Sequence, residues 1–204
     1  NFIYSIIKDK PMIVQSMYFE GNSVTGEHQD SYYLDDEEIG KMAACWIALE
    51  DIHWNAGRFF VCPKSHKVDN SEISLENSMG EEKNYINQIL SNIKNKKYEV
   101  RAPYLRKGEI LIWNALTIHG SLPDINPSNS RSSITTHFTR SNSKFRTYRH
   151  KLKNLKVEKR KFLDIYRPYD YDKLSTSIKI FLSIKFPKIK IYLKELFIKL
   201  RYLK

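Results

Sequence analysis

The sequence predicts a mainly β protein, an antiparallel double-stranded β-helix or jelly roll with flanking helices and a C-terminal basic helical tail. Three observations carry that prediction. Short runs rich in β-branched and aromatic residues recur between polar turns, helical periodicity is confined to one insertion and the tail, and the excess positive charge sits in the tail alone.

The stretch Pro11–Phe19 (PMIVQSMYF) mixes β-branched and aromatic residues and runs into Gly21 and Asn22, the pattern of a strand closed by a turn. Gly26 to Leu34 alternates irregularly and breaks into the acidic turn Asp35 to Glu38. A second strand is expected over Met42–Leu49 and a short third over Arg58–Cys62, closed by Pro63. Residues 70–95 are mostly polar, with a helical period through Tyr85, Ile86, Ile89, Leu90 and Ile93, so they read as an insertion carrying one helix. The Lys107-Gly108-Glu109 turn opens an apolar strand expected to run from Ile110 to Ile118. Ser132–Thr139 is an alternating strand after the polar loop Pro123 to Ser130. From Lys151 the composition shifts to Lys, Leu, Ile and Tyr, which divides a jelly-roll domain of residues 1–150 from a tail of residues 151–204.

A chain of 204 residues with 41% apolar residues suffices for one domain with a hydrophobic core. Of its 34 Lys and Arg, 16 lie in residues 151–204 against 5 of its 23 Asp and Glu, so the first 150 residues are balanced at 18 and 18. The body therefore lacks the basic patch that nucleic-acid binding needs, and no nucleic-acid partner is expected. Cys45 and Cys62 each lie in an apolar stretch and read as free core thiols of a reducing compartment, which predicts a cytoplasmic location. No apolar run reaches the roughly 18 residues of a membrane span, and nothing in the sequence reports the oligomeric state.

His28-Gln29-Asp30 places two ligand-type side chains one residue apart, so on an extended segment both face the same way and reach one cation. Two histidines and one carboxylate on one face of an octahedron leave three open positions, the arrangement suited to iron(II) and oxygen chemistry. His119, expected at the end of the Ile110–Ile118 strand and followed by Gly120 and Ser121, is the candidate third ligand. His53 and His66 lie in polar loops, His150 opens the basic tail, and His137 inside a strand reads as a structural histidine. A keto acid chelating the metal needs a cation for its distal carboxylate. Arg131, at the start of the returning strand, offers the bidentate fork that lysine lacks.

Three separated blocks resemble the phytanoyl-CoA dioxygenase family of iron and 2-oxoglutarate hydroxylases. They are His28-Gln29-Asp30-Ser31-Tyr32-Tyr33, then Trp46 to Asp51 running through Asn55, Gly57 and Val61 to Lys67, then Gly108-Glu109 leading to His119-Gly120-Ser121 and Arg131. The resemblance spans roughly residues 12–140 and implies a cupin-like jelly roll. It implies iron(II) held by His28, Asp30 and His119, and 2-oxoglutarate contacts from Met17, Trp46, Ser121 and Arg131. The activity it implies is that of a dioxygenase consuming O2 and releasing succinate and CO2 while hydroxylating a small organic or lipid-like substrate. The loops around Tyr32, Tyr33 and residues 70–100, with the strand ending near Phe138, are expected to select that substrate. The N-terminal helical part usual in the family is expected to be missing, leaving Lys8 and Lys10 as candidates for a lysine contact to the keto acid.

After Pro187, Ile189, Leu193, Leu196, Phe197, Leu200 and Leu203 form one apolar helical stripe against Lys188, Lys190, Lys194, Lys199, Arg201 and Lys204. Residues 178–204 are thus a candidate peripheral contact to the inner membrane surface, or a cover for the jelly roll's open edge. The rival function is a catalytically silent jelly-roll binding protein attached to a membrane or partner through this tail. A zinc-dependent cupin-like enzyme shares the ligand types and does not need Arg131.

Overall fold

The computed structural model of the chain describes residues 2–21, 25–67, 82–126, 128–147, 151–167 and 173–186. Among them the strands are β1 Pro11–Phe19, β2 Leu34–Asp36, β3 Ala43–Ala48, β4 Phe59–Val61, β5 Ile110–Asn114, β6 His119–Ser121, β7 Ser133–Arg140, β8 Phe145–Thr147, β9 Leu152–Lys153, β10 Val157–Glu158 and β11 Asp164–Tyr166. The helices are α1 Phe2–Ile7, α2 Glu82–Asn95 and α3 Leu174–Lys185. A six-stranded sheet runs in the order β10-β11-β1-β7-β3-β5, accompanied by a three-stranded sheet β2-β8-β9 and the pair β4-β6. Nearly all pairings are antiparallel, as a jelly roll requires; β1 with β11 is the parallel exception.

The large sheet buries both faces. Cys45 and Phe138 pack on one side with Ile7 of α1 and the half-buried Ile3, Ile13, Ile47 and Ile112. Ala44, Trp46, Ala48 and Trp113 face the other side, toward Ile52, Ala56 and Phe59. Strand β1 changes its inward phase partway along. Met12 and Val14 are buried near its start, but a register shift between Ile13 and Gln15 turns Met17 and Phe19 inward further on, leaving Tyr18 exposed.

A short helix precedes β1, and the C-terminal boundary of the body differs from the expected one. Residues 2–7 are helical, and Ile7 is buried against the back of the sheet. The compact body runs past residue 150 to Tyr166, with residues 167–204 forming a second unit. The reason is β11: Met12 pairs with Asp164 and Ile13 with Ile165, so this basic segment completes the sheet. Asp164 is fully buried and accepts Lys10 Nζ at 2.6 Å, Lys159 Nζ at 2.9 Å, the Arg160 amide at 3.0 Å and the Ser141 hydroxyl. Lys159 and the Arg160 amide thus tie this part of the expected tail into the body. In the second unit α3 is described, while the apolar stripe of residues 189–203 lies outside the described residues. No helix among the described residues is long and apolar enough to cross a membrane.

The expected strand Ile110–Ile118 is broken. β5 ends at Asn114, residues 115–118 turn, and β6 starts afresh at His119. Asn114 makes the break: its side chain donates to the Gly40 carbonyl at 2.6 Å and accepts the Leu116 amide at 2.9 Å, replacing ladder bonds with a local turn. The insertion helix α2 sits where its period predicts, with Tyr85 and Ile89 buried against Tyr32, Phe60, Cys62 and Ile118. Both cysteines are buried and free.

Two outcomes test this packing. Burial alone would raise the Asp164 pKa, but the bonds from Lys10, Ser141 and Lys159 outweigh it and hold the carboxyl below the usual carboxylate range. A depressed folded pKa gives stability that is present above the unfolded value near ~4 and is lost as pH falls below it. Asp164→Asn should cost about 2 kcal/mol at neutral pH, less than an enclosed pair because the lysines reach water, and should flatten the acid limb of urea unfolding measured against pH. A Cβ on Gly120 would lie 3.1 Å from the Phe60 ring and 3.1 and 3.2 Å from the carbonyls of Thr25 and Gly26. Gly120→Ala should therefore destabilise by about 1–3 kcal/mol in the same measurement, because those carbonyls move only with the whole segment.

Candidate metal centre

His28 and His119 are joined by an isolated antiparallel bridge, with His28 N donating to His119 O at 2.9 Å and His119 N to His28 O at 3.0 Å. Gln29 is extended, and a 3-10 turn begins at Asp30, so the His28 and Asp30 side chains project together. The Nε2 atoms of His28 and His119 lie 3.7 Å and 3.4 Å from Asp30 Oδ1, and one ligand atom from each of the three residues falls within 4.8 Å of the others. Asp30 and His119 are buried and His28 is half-buried.

Each ligand is oriented by a second contact. His28 Nδ1 lies 2.8 Å from the Gly26 carbonyl and His119 Nδ1 2.9 Å from the Thr117 carbonyl, so both rings carry their proton on Nδ1 and turn an Nε2 lone pair inward. Trp113 Nε1 donates to Asp30 Oδ2 at 2.8 Å and turns Oδ1 toward the histidines. The loop itself is held by α2: Tyr85 Oη accepts the Gln29 amide at 2.8 Å, and the Tyr85 ring stacks on Tyr32 with centroids 3.8 Å apart. Burial, reinforced by the neighbouring His119, pushes the His28 pKa down to about 4, so its ring is neutral at physiological pH. Burial opposes ionisation of Asp30, but the His119 and His137 rings outweigh it and hold the carboxyl well below the usual carboxylate range. Two imidazole Nε2 atoms and a carboxylate oxygen gathered within 4.8 Å of one another are a donor set that fits a divalent transition metal.

A cavity of about 60 Å³ opens beside the three ligands, walled by Met17, Phe19, Trp46, Phe59, Trp113 and Arg131. Cross-strand register builds one wall. Leu111, Trp46, Thr135 and Met17 stand in one row across β5, β3, β7 and β1, and Trp113, Ala44 and His137 in the next. Arg131 is buried, its guanidinium 5.8 Å from the Trp46 ring; burial lowers its pKa and nearby Asp124 partly restores it.

The structure therefore brings Met17, Trp46 and Arg131 to the cavity beside His28, Asp30 and His119. Ser121 is buried on β6 but does not line that cavity, and neither do Lys8 and Lys10. Lys10 is engaged with Asp164 instead. Tyr32, expected in a substrate loop, is a core residue at 2% exposure. His137, read from sequence as structural, faces the site: its Nε2 is 3.4 Å from Asp30 Oδ1. The signal for it was the two-residue step from Arg131 through Ser133, Thr135 and His137, a polar face on a strand that is buried on both sides. Trp113, Phe59 and Thr25 were likewise not singled out from sequence.

The family model for phytanoyl-CoA dioxygenase (PhyH) matches residues 5–133. Phytanoyl-CoA dioxygenase domain-containing protein 1 of Danio rerio is 28% identical over 144 residues, covering 64% of this chain and 46% of that protein. The Bos taurus protein of the same name is 30% identical over 131 residues, covering 62% and 44%. The chain thus spans less than half the length of these relatives. Among solved structures, the non-heme alpha ketoglutarate dependent carbocyclase SnoK from nogalamycin biosynthesis matches with a TM-score of 0.58 at 15% identity, covering 70% of this chain and 55% of that one. The epimerase SnoN, solved in complex with Fe3+, alpha ketoglutarate and nogalamycin RO, matches with a TM-score of 0.55 at 14% identity, covering 72% and 56%. At such identities the structural likeness establishes the fold. The match to the family model runs over more than half of the residues and includes both arms of the histidine bridge, and on that ground the chain belongs to the phytanoyl-CoA dioxygenase family.

Proposed function

We propose that this chain is an iron(II) and 2-oxoglutarate-dependent dioxygenase that hydroxylates a small organic or lipid-like substrate. The observation that carries the reading is the convergence of His28 Nε2, His119 Nε2 and Asp30 Oδ1, each oriented by its own second contact, at the mouth of a cavity that also holds Arg131. Iron(II) with 2-oxoglutarate bound there would supply oxygen activation coupled to decarboxylation of the oxo acid to succinate and CO2. His28, Asp30 and His119 hold the metal by three donors and leave its remaining positions to the co-substrates. Arg131 takes the distal carboxylate of the oxo acid, and Trp46 and Met17 wall its carbon chain. The aromatic lining from Phe19, Phe59 and Trp113 excludes water and favours an apolar substrate carbon. The buried Arg131 favours this reading over a zinc enzyme, which needs no cation at that place.

Purified protein supplied with iron(II), ascorbate and 2-oxoglutarate should release succinate, slowly without substrate and faster with one. His119→Ala should lower that release by about 100-fold or more. Equal release from the variant, or none from the wild type, rejects the assignment. Trp113→Phe keeps the ring and removes the Nε1 donor to Asp30, so iron(II) affinity measured by competition with a chelator should fall about tenfold.

A further inference from the structure

We propose that His137 is a cofactor-binding residue whose ring donates a hydrogen bond to the metal-side carboxylate of the 2-oxo acid, at the opposite end from Arg131. The inference rests on the 2-oxo-acid reading above and deepens it.

His137 lies on β7, the strand between β1 and β3 at the middle of the large sheet. It is 2% exposed and lines the cavity, and neither of its ring nitrogens has a hydrogen-bond partner among the described residues. A buried polar ring is ordinarily satisfied by the protein around it, and where it is not, it is available to a ligand. Its Nε2 stands 3.4 Å from Asp30 Oδ1, as close as the Nε2 of His119, yet without hydrogen-bond geometry. The three-ligand cluster consists of His28, Asp30 and His119 without His137. His137 therefore approaches the same Asp30 oxygen as the two bridge histidines without belonging to their cluster.

The neighbours define what His137 can do. Ala44 separates it from Trp113 in the cross-strand row, and a side chain that small lets both rings approach Asp30. Trp113 is spent on Oδ2, whereas the His137 nitrogens remain. A chelating oxo acid would add a second carboxylate to a buried site that already holds that of Asp30. Two like charges in a buried site need a donor between them, and a ring N–H at this place provides one. Thr135 and His137 of β7 and Arg131, two residues before its start, all line the cavity, so this segment offers one donor to each end of a dicarboxylic oxo acid.

Two equilibria, read by calorimetry under anaerobic conditions on the full chain, separate this role from others: iron(II) to the metal-free protein, then 2-oxoglutarate to the iron(II) form. His137→Phe keeps the ring volume without nitrogens, His137→Asn keeps polarity but cannot place a donor at the Nε2 position, and His137→Gln can. The expected result is unchanged iron(II) affinity in all three. Affinity for 2-oxoglutarate should weaken about tenfold or more in Phe and Asn, the loss of one hydrogen bond to a charged group, with most of it retained in Gln. The melting temperature of metal-free His137→Phe should not fall, because no satisfied bond is lost. Unchanged 2-oxoglutarate affinity in Phe and Asn overturns the inference. So does a parallel loss of iron(II) affinity, which would make His137 a fourth ligand, or a lowered melting temperature with intact binding, which would make it structural. Failure of the wild type to bind 2-oxoglutarate overturns the oxygenase reading itself, and this inference with it.

Discussion

The paired backbone hydrogen bonds between His28 and His119 are the constraint on which the rest of the site depends. They join two segments distant in sequence and set the two rings with centroids 4.2 Å apart. The bridge leaves no room for a side chain at Gly120, whose α-carbon faces the carbonyls of Thr25 and Gly26 just before His28. Strand β6, which carries His119, is itself tied to β4 by pairing with Phe59, Phe60 and Val61. Tyr85 from the insertion then holds the far side of the loop through the Gln29 amide. Ligand geometry is thereby fixed by main-chain pairing, with side-chain contacts refining it.

The electrostatics follow from that burial. A carboxylate enclosed with three imidazoles keeps its charge only because ring nitrogens and Trp113 surround it, and a ring this enclosed stays neutral. Both states are the ones a divalent metal requires, so the site needs little proton rearrangement to load. The same enclosure would strengthen the pull of Arg131 on the oxo-acid carboxylate proposed to bind there, since an exposed ion pair would be weakened by water.

Much of this was legible from the residues. The strand Pro11–Phe19 was read with its observed bounds, because a long run of β-branched and aromatic residues between turn formers has few other solutions. The His-x-Asp pair was legible because a two-residue period on extended chain admits one geometry. Strands β9 to β11 were not, since two- and three-residue strands in a basic segment exist only through their partners, and Asp164 recruits lysines that look like solvent charges. The break after Asn114 depends on a contact to Gly40 that no local pattern announces. Ser121 shares β6 with His119 and is buried without lining the cavity, a distinction that two-residue spacing alone does not make. His137 was passed over because a histidine inside a strand usually has a satisfied structural role, and only the register with Ala44 and Trp113 reveals what it faces.

The central claim is that His28, Asp30 and His119 present iron(II) to a chelating oxo acid held by Arg131. Its most direct test is the visible absorption spectrum of the anaerobic protein titrated with iron(II) and then 2-oxoglutarate. A metal-to-ligand charge-transfer band should grow to one equivalent of each and be absent from His119→Ala. A wild-type protein that binds iron(II) but develops no band at saturating 2-oxoglutarate would contradict it.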